Sequence, residues 1–130
     1  MAADRTIVTA DGAPVALGAY SHAVASNGLL FCAGQLALDP TSRELIGATP
    51  AEQIEVALRN VEAVCRAAGA RLADAVKVTV YLVDIGAFEE INAVYETFFT
   101  GGEPPARVVL AVAALPKGAL VEIDAVVALP

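Results

Sequence analysis

Few side chains of this sequence could do chemistry, and one arginine stands apart from the others. Arg107 is the only charged residue between Glu103 and Lys117, in the segment PPARVVLAV. A guanidinium keeps its charge in proteins, so a buried one requires an anionic partner. The segment is therefore compatible with a structural ion pair, with an edge arginine that reaches solvent, or with a two-pronged clamp for a ligand carboxylate. The sequence context favours neither the structural nor the functional interpretation.

Two carboxylates lie near the end of the chain. Glu122 and Asp124 are two residues apart in the segment LVEIDAV, so on a strand they share one face. The structural interpretation of this pair is an exposed polar face at a sheet edge. The functional interpretation is a carboxylate that accepts a proton from water and orients that water for attack.

The other residues of the sequence disfavour a serine-nucleophile site, a phosphate-binding loop and a metal site. His22 is the only histidine, no G-x-S-x-G motif supplies a serine nucleophile, and no Gly-rich phosphate loop is present. We therefore interpret His22 as a structural residue whose imidazole is hydrogen-bonded. Cys32 and Cys65 each lie in an apolar stretch, which predicts neither a disulfide framework nor a metal site. We expect no cofactor.

Composition and charge narrow the class of protein. The 130 residues fit one domain, expected to span 1–130, and 57% of them are apolar. Fifteen acidic and eight basic residues give a net charge of −7, which disfavours a nucleic-acid partner. No apolar run reaches the roughly 18 residues of a membrane span, and the first residues do not resemble a signal peptide. We expect a cytoplasmic protein with no membrane partner.

Glycines, prolines and the hydrophobic period divide the chain into eight elements. Strands are predicted near 5–9 and over 23–26, 29–34, 75–83, 107–112 and 120–128, and helices over about 50–68 and 87–99. Asn27-Gly28 predicts a hairpin turn, and Thr49 with Glu52 predicts a capping box at the first helix. The spacing also predicts a buried stripe of Phe88, Ile91, Tyr95 and Phe98 on the second helix, and it places Val76, Val78, Val80 and Leu82 on one side of the fourth strand. The order β-β-β-α-β-α-β-β predicts an α+β fold with both helices on one face of a six-stranded sheet.

Two of these strand segments, 29–33 and 108–112, are apolar on both faces. Two helices can cover only one face of a six-stranded sheet, and the sequence has no spare element for the other face. A second copy of the subunit is the simplest way to bury the other face of the sheet. We therefore predict an obligate oligomer.

A series of segments resembles a known family. They are LGAYSHA at 17–23, AGQL at 33–36, VTVYL at 78–82, INAVY at 91–95, PAR at 105–107, LPK at 115–117 and VEID at 121–124. In order and over about residues 13–128, they resemble the Rid family, also called YjgF or endoribonuclease L-PSP. The resemblance implies a chorismate-mutase-like mixed sheet, a homotrimer with three clefts between subunits, and a reaction that needs no metal or nucleotide.

The implied reaction is hydrolysis of reactive 2-enamine or 2-imino acids, of the 2-aminoacrylate and 2-iminobutanoate type, to 2-oxo acids and ammonia. By position, Arg107 would bind the substrate carboxylate, and Glu122 would position and activate the attacking water. Gly34 would lend backbone groups to the reacting nitrogen. The cleft itself would be shaped by Tyr20 in its wall, Pro116 at its entrance and Asn92 from the neighbouring chain.

Three positions depart from the family pattern. Ala33 stands at a ligand-binding position where many members have a serine, so one hydroxyl hydrogen bond to the ligand is missing. Val109 replaces a common cysteine, and Ala19 replaces a frequent proline. These changes bear on substrate preference and rate more than on the class of reaction.

Two other functions stay open. The clefts could bind small carboxylates without turnover, as a regulatory or chaperone-like module, because Arg107 would serve binding and catalysis alike. A ribonuclease or translation inhibitor should instead show a basic stripe or stacking aromatic side chains. The sequence has 5% aromatic residues, no Trp and a net charge of −7, which disfavours that second alternative.

Overall fold

A computed structural model describes residues 3–130. The strands are β1 (Thr6–Val8), β2 (Ala23–Ser26), β3 (Leu29–Leu36), β4 (Ala75–Leu82), β5 (Ala106–Ala111) and β6 (Val121–Ala128). The helices are α1 (Pro50–Ala67) and α2 (Phe88–Thr97), with short 3-10 turns at Leu72–Asp74, Ile85–Ala87 and Pro116–Gly118. The predicted element order is confirmed, and no element end differs from the prediction by more than two residues.

The six strands form one mixed sheet in the order β1-β2-β3-β6-β4-β5. Every neighbouring pair is antiparallel except β4 and β5, which are parallel and joined through α2. Strand β6 is therefore central, and β5 is an edge strand. In this register Tyr81 pairs with both Glu122 and Leu110, whereas Val78 pairs with Arg107.

Both helices pack on one face of the sheet, as predicted. Alternate residues of the central strands are buried beneath them, because successive side chains of a strand point to opposite faces. The core comprises Val121, Ile123, Ala125 and Val127 of β6, Val78, Val80 and Leu82 of β4, Ile54, Leu58 and Val61 of α1, and Ile91 of α2.

The first helix begins and ends at the predicted signals. The Thr49 side chain accepts a hydrogen bond from the Glu52 N–H at 3.2 Å, and Glu52 Oε1 accepts one from the Ala48 N–H at 3.2 Å. Gly69, with a φ of 74°, follows the C-terminal residues in the left-handed conformation that glycine adopts at low cost. No helix within residues 3–130 is both long and apolar enough to cross a membrane.

The other face of the sheet, here called the open face, carries no helix. Among the described residues its large apolar side chains stay exposed, with 49% exposure for Ile7, 47% for Phe31, 43% for Val108 and 37% for Leu110. These residues come from both edge strands and from β3. The expectation that one chain covers only one face is therefore met within residues 3–130.

The predicted shared side of β4 and the predicted buried stripe of α2 are each partly wrong. Val76 is 49% exposed, because the register between β4 and β6 shifts between Ala75 and Lys77 and turns Val76 out of the stripe. On α2, Ile91 and Tyr95 are buried as predicted, but Phe88 is 37% exposed and Phe98 is only half-buried. Phe88 instead lies at the start of the helix, near the guanidinium of Arg107.

Candidate functional site

Three side chains of α2 hold Arg107 in place. Its Nη1 donates a hydrogen bond to Asn92 Oδ1 at 2.7 Å. Its guanidinium carbon lies 4.7 Å from the centre of the Tyr95 ring and 5.5 Å from the centre of the Phe88 ring. Aromatic faces attract a cation and leave the hydrogen-bond donors of a guanidinium unused. The half-buried charge is thus oriented without being neutralised.

No salt bridge joins Arg107 to a carboxylate of residues 3–130, whose ion pairs are local ones formed by Arg59, Arg66 and Arg71. Asn92 offers Arg107 a neutral carbonyl oxygen, and the amide nitrogen of Asn92 donates to Glu96 at 3.0 Å. The sequence left open that Arg107 forms a structural ion pair. Arg107 forms none among residues 3–130, so that interpretation is wrong for the described chain. The remaining guanidinium N–H groups can bind an anion.

The arginine opens onto a cavity of about 510 Å³, here called the Arg107 cavity. Its walls are Asn92, Tyr95, Glu96, Phe99, Pro104, Pro105 and Arg107. Tyr95 is buried, and its hydroxyl has no hydrogen-bond partner among residues 3–130. Burial raises the pKa of Tyr95, and the nearby Arg107 charge opposes that rise. Tyr95 therefore contributes mainly the face of its ring.

A second cavity, of about 430 Å³ and here called the Glu122 cavity, lies between the loop before β2, strand β3 and the 3-10 turn before β6. It is lined by Pro14, Val15, Leu17, Tyr20, Ala33, Gly34, Gln35, Leu36, Leu38, Pro116, Lys117 and Glu122. Five predicted site residues thus meet here: Tyr20, Ala33, Gly34, Pro116 and Glu122. The walls are largely apolar, which suits a small organic ligand with one polar end.

The Glu122 carboxylate in this cavity is a candidate proton acceptor. Burial raises the pKa of Glu122 above its ordinary value, and the negative charge of Asp124 raises it further. Among residues 3–130, no hydrogen bond from another group stabilises its ionised form. A carboxylate with a raised pKa is better suited to take up and return a proton near neutral pH than an ordinary one.

Gly34 allows this carboxylate to lie against the backbone of β3. A Cβ atom added at Gly34 would lie 3.0 Å from Glu122 Cδ and 3.3 Å from Cγ, and it would overlap Oε1. The approach falls at a register shift in the pairing of β3 with β6, between Cys32 and Gln35. Any side chain at Gly34 would therefore displace the carboxylate.

His22 has the structural role predicted for it. It is buried, its Nδ1 accepts a hydrogen bond from the Ala10 N–H at 2.8 Å, and its Nε2 donates to the Pro14 carbonyl at 2.7 Å. Both ring nitrogens are therefore occupied. The imidazole fixes the loop that leads to Tyr20, whose side chain is 50% exposed at the mouth of the Glu122 cavity.

The single chain does not bring all the predicted site residues together. Arg107 pairs with Val78, which is buried beneath the helices, whereas Glu122 pairs with Tyr81 on the open face. Cross-strand partners point to the same face, so Arg107 and Glu122 lie on opposite faces of the sheet. Asn92 lies beside Arg107, while the other predicted residues lie beside Glu122.

Several groups around the two cavities were not singled out as site residues from the sequence. Tyr95 belongs to the predicted buried stripe of the second helix, and its position three residues after Asn92 on that helix indicates a place beside Arg107. Lys117 lines the Glu122 cavity and donates from Nζ to the Arg43 carbonyl at 2.8 Å, a contact between distant loops that no local pattern indicates. Within residues 3–130, no group of three or more His, Cys, Asp or Glu side chains is arranged to hold a metal ion.

The mixed sheet with both helices on one face makes this a small α+β protein, with the Arg107 guanidinium and the Glu122 carboxylate in separate cavities. A model of the family described as Endoribonuclease L-PSP matches residues 10–129. The chain therefore belongs to this family, the Rid or YjgF family that its motifs resemble.

Individual relatives match over nearly their whole length. RutC family protein y4sK of Sinorhizobium fredii is 48% identical over 122 residues, which cover 94% of this chain and 96% of that protein. The 2-iminobutanoate/2-iminopropanoate deaminase of Rattus norvegicus is 41% identical over 122 residues, which cover 94% of this chain and 88% of that protein. Among solved structures, TdcF of E. coli with bound serine is 34% identical, with a TM-score of 0.91 and coverage of 96% of this chain and 99% of that one.

Proposed function

We propose that this protein hydrolyses reactive 2-enamine or 2-imino acids to 2-oxo acids and ammonia. In this proposal Arg107 binds the substrate carboxylate, and Glu122 positions the water and takes up its proton. The observation that carries the proposal is the Arg107 guanidinium, which Asn92, Tyr95 and Phe88 orient without an anionic partner among residues 3–130. The deaminase name of the rat relative supports the reaction class.

The carboxylate of a 2-imino acid matches the free edge of Arg107. A guanidinium can donate two parallel N–H bonds to the two carboxylate oxygens, which fixes the orientation of the ligand as well as its position. Serine, the molecule bound in TdcF, also carries an α-carboxylate and is of similar size. An arginine suits this task better than a lysine, since a primary amine could itself attack an imine.

The hydrolysis itself requires one water and one proton acceptor. A 2-enamine acid first becomes the 2-imino acid as a proton moves from its nitrogen to C3. The water oxygen then bonds to C2 of the imine, the π pair of the C=N bond moves to nitrogen, and a water proton moves to Glu122. Glu122 then returns that proton to the nitrogen. The C–N bond then breaks as the new hydroxyl transfers its proton, through Glu122, to the departing nitrogen, which leaves the 2-oxo acid and ammonia. Holding the substrate and water in place supplies much of the acceleration for so reactive a substrate.

A complete site requires two copies of the chain in this proposal. Arg107 and Asn92 of one copy complete the Glu122 cavity of the next, which also agrees with the expected contribution of Asn92 from a neighbouring chain. The exposed apolar residues of the open face support assembly through that face. A homotrimer of cyclic symmetry would contain three equivalent sites.

The direct test is to generate 2-aminoacrylate or 2-iminobutanoate in situ and to follow imine loss with and without protein. Arg107→Ala should abolish the acceleration, while Arg66→Ala, which removes an exposed arginine of α1, should leave it intact. Glu122→Gln should abolish turnover but still bind a 2-oxo acid such as pyruvate. Pyruvate binding by a wild-type protein that does not accelerate imine loss would contradict the proposal and favour the binding module.

A further inference from the structure

On the open face, the side chains of Tyr81 and Asp124 are joined beside Glu122. Tyr81 Oη donates a hydrogen bond to Asp124 Oδ2 at 2.8 Å. Tyr81 is the cross-strand partner of Glu122, whereas Asp124 is paired with Thr79. The hydroxyl therefore reaches diagonally to Asp124 and not to the carboxylate opposite it. This hydrogen bond fixes the Asp124 carboxylate, and the Tyr81 hydroxyl donates no hydrogen bond to Glu122.

The hydrogen bond holds a negative charge at a defined distance from Glu122. Residues two apart on one strand face have Cα atoms about 7 Å from each other. Because the Tyr81 hydroxyl donates to the Asp124 carboxylate, the pKa of Tyr81 is raised, and the hydroxyl stays protonated as a donor. Neither residue lines the Glu122 cavity, so neither is expected to touch the ligand there.

We propose that Asp124, anchored by the hydroxyl of Tyr81, is a positioning residue that tunes Glu122 as the proton acceptor for the attacking water. This inference rests on the proposed function and extends it to a pair of residues outside the cavity. The fixed charge of Asp124 disfavours a second negative charge at Glu122. Glu122 therefore binds the proton released by the attacking water more tightly. The raised pKa of Glu122 agrees with this arrangement.

The other titratable groups near Glu122 come from different elements and do not replace Asp124. Lys117 of the 3-10 turn lines the same cavity, with its Nζ engaged by the Arg43 carbonyl, and Tyr20 lines it from the loop before β2. Strand β3 faces Glu122 with Gly34 and Leu36, which do not titrate.

Two further cations, Lys77 and the Arg107 of a second copy, are the same in the wild-type protein and in the variants that test Tyr81 and Asp124. On β4, Lys77 is exposed and is paired with Val126, farther along the open face. In the proposed assembly, Arg107 of a second copy also faces the cavity. Any effect that these cations have on Glu122 is therefore the same in wild-type and variant proteins, so a comparison isolates Asp124.

The first experiment measures Glu122 directly and needs no activity. The carboxyl carbon of Glu122 is titrated by NMR in protein labelled with ¹³C-glutamate. Asp124→Asn should lower the titration midpoint by about 0.5–1 pH unit, the size expected for one charge about 7 Å away near water. Tyr81→Phe should give a smaller decrease, because the freed Asp124 can turn to solvent. Glu55→Gln, which removes an exposed carboxylate of α1, should give none.

The second experiment records the pH profile of kcat/KM for imine hydrolysis by the same variants. In Asp124→Asn the acid limb should move to lower pH by the same amount. The plateau rate should fall about twofold to threefold, since a weaker base accepts the proton less readily. A purely structural Asp124 would lower the melting temperature of the variant without moving either midpoint.

An unchanged Glu122 midpoint in Asp124→Asn would overturn the inference, as would a moved midpoint with an unmoved acid limb. Both results would leave the proposed deaminase function standing, because the wild-type protein would still hydrolyse imines. Absence of hydrolysis by the wild-type protein would overturn the proposed function itself, and with it the role of Asp124. The NMR titration would then still report whether the two carboxylates are coupled.

Discussion

Arg107 and Glu122 lie on opposite faces of one sheet. The first pairs with Val78 beneath the helices, and the second pairs with Tyr81 on the open face. A small ligand cannot contact both side chains of the same chain through a packed sheet. Joint action by these two residues therefore requires a second copy of the protein, and the exposed apolar side chains of the open face offer the surface for it.

A charge placed on the open face should separate the copies. Leu110→Glu introduces a carboxylate on edge strand β5 at a position that is 37% exposed in the single chain, so the chain itself should still fold. We expect a monomer by sedimentation velocity, unchanged circular dichroism and no deaminase activity. Ile85→Glu, at a 53% exposed position in a 3-10 turn, is the matched control and should behave like the wild type. An active Leu110→Glu variant of wild-type size would contradict the role given to this face.

Removal of the Asn92 side chain should weaken substrate binding more than the chemical step. Asn92→Ala deletes the 2.7 Å hydrogen bond that orients the Arg107 guanidinium. Hydrogen bonds to charged groups contribute about 1.5–3 kcal/mol, so KM should rise roughly tenfold or more while kcat changes less. The control is Glu89→Gln, which changes an exposed side chain in the first turn of the same helix and should leave KM unchanged. An unchanged KM in Asn92→Ala would show that Arg107 needs no such support.

A methyl group at Gly34 should displace the Glu122 carboxylate. The added Cβ of Gly34→Ala would lie 3.0 Å from Glu122 Cδ, and the side chain can rotate away while the strand keeps its place. We expect kcat to fall at least tenfold with unchanged circular dichroism, because misplacement by about 1 Å can cost two orders of magnitude in rate. Gly102→Ala, where no atom lies within 4 Å of the added Cβ, should retain full activity. Wild-type kcat in Gly34→Ala would refute this placement of the carboxylate.

The Glu122 carboxylate should reduce the stability of the fold at neutral pH. Because burial and Asp124 raise its pKa in the folded state, the folded chain binds this proton more readily than the unfolded chain. The free energy of unfolding therefore decreases as pH rises from the ordinary Glu value through the raised one. At equal protein concentration, Glu122→Gln should melt roughly 1–4 °C above the wild type at pH 7–8, with the gain lost below about pH 4. Equal melting temperatures at both pH values would contradict the burial of an ionised Glu122.

Much of the fold could be predicted from local signals. The Thr49 and Glu52 cap, the stop at Gly69 and the hairpin at Asn27-Gly28 each depend on a few consecutive residues whose backbone preferences are strong. The shared face of Glu122 and Asp124 also follows from the two-residue period of a strand. For the same reason, segments 29–33 and 108–112 predicted apolar side chains on the second face of the sheet, where Phe31, Val108 and Leu110 are exposed.

The arrangement of the candidate site depends on contacts that local patterns do not encode. Which face Arg107 takes is decided by the parallel pairing of β5 with β4, which joins segments separated by a whole helix. The shift in strand register beside Val76 and the hydrogen bond from Tyr81 to Asp124 also depend on long-range pairing. The sequence therefore predicted the residue types of the candidate site, whereas their division between two faces depends on long-range strand pairing.

Subunit mixing tests the shared site most directly. Arg107→Ala and Glu122→Gln should each be inactive alone, but a site between copies can combine the intact Glu122 of the first variant with the intact Arg107 of the second. Random reassembly of equal amounts should restore about a quarter of the wild-type imine hydrolysis, since half of the copies supply each residue. If the reassembled mixture remains as inactive as the two separate variants, then Arg107 and Glu122 do not act together across a subunit interface.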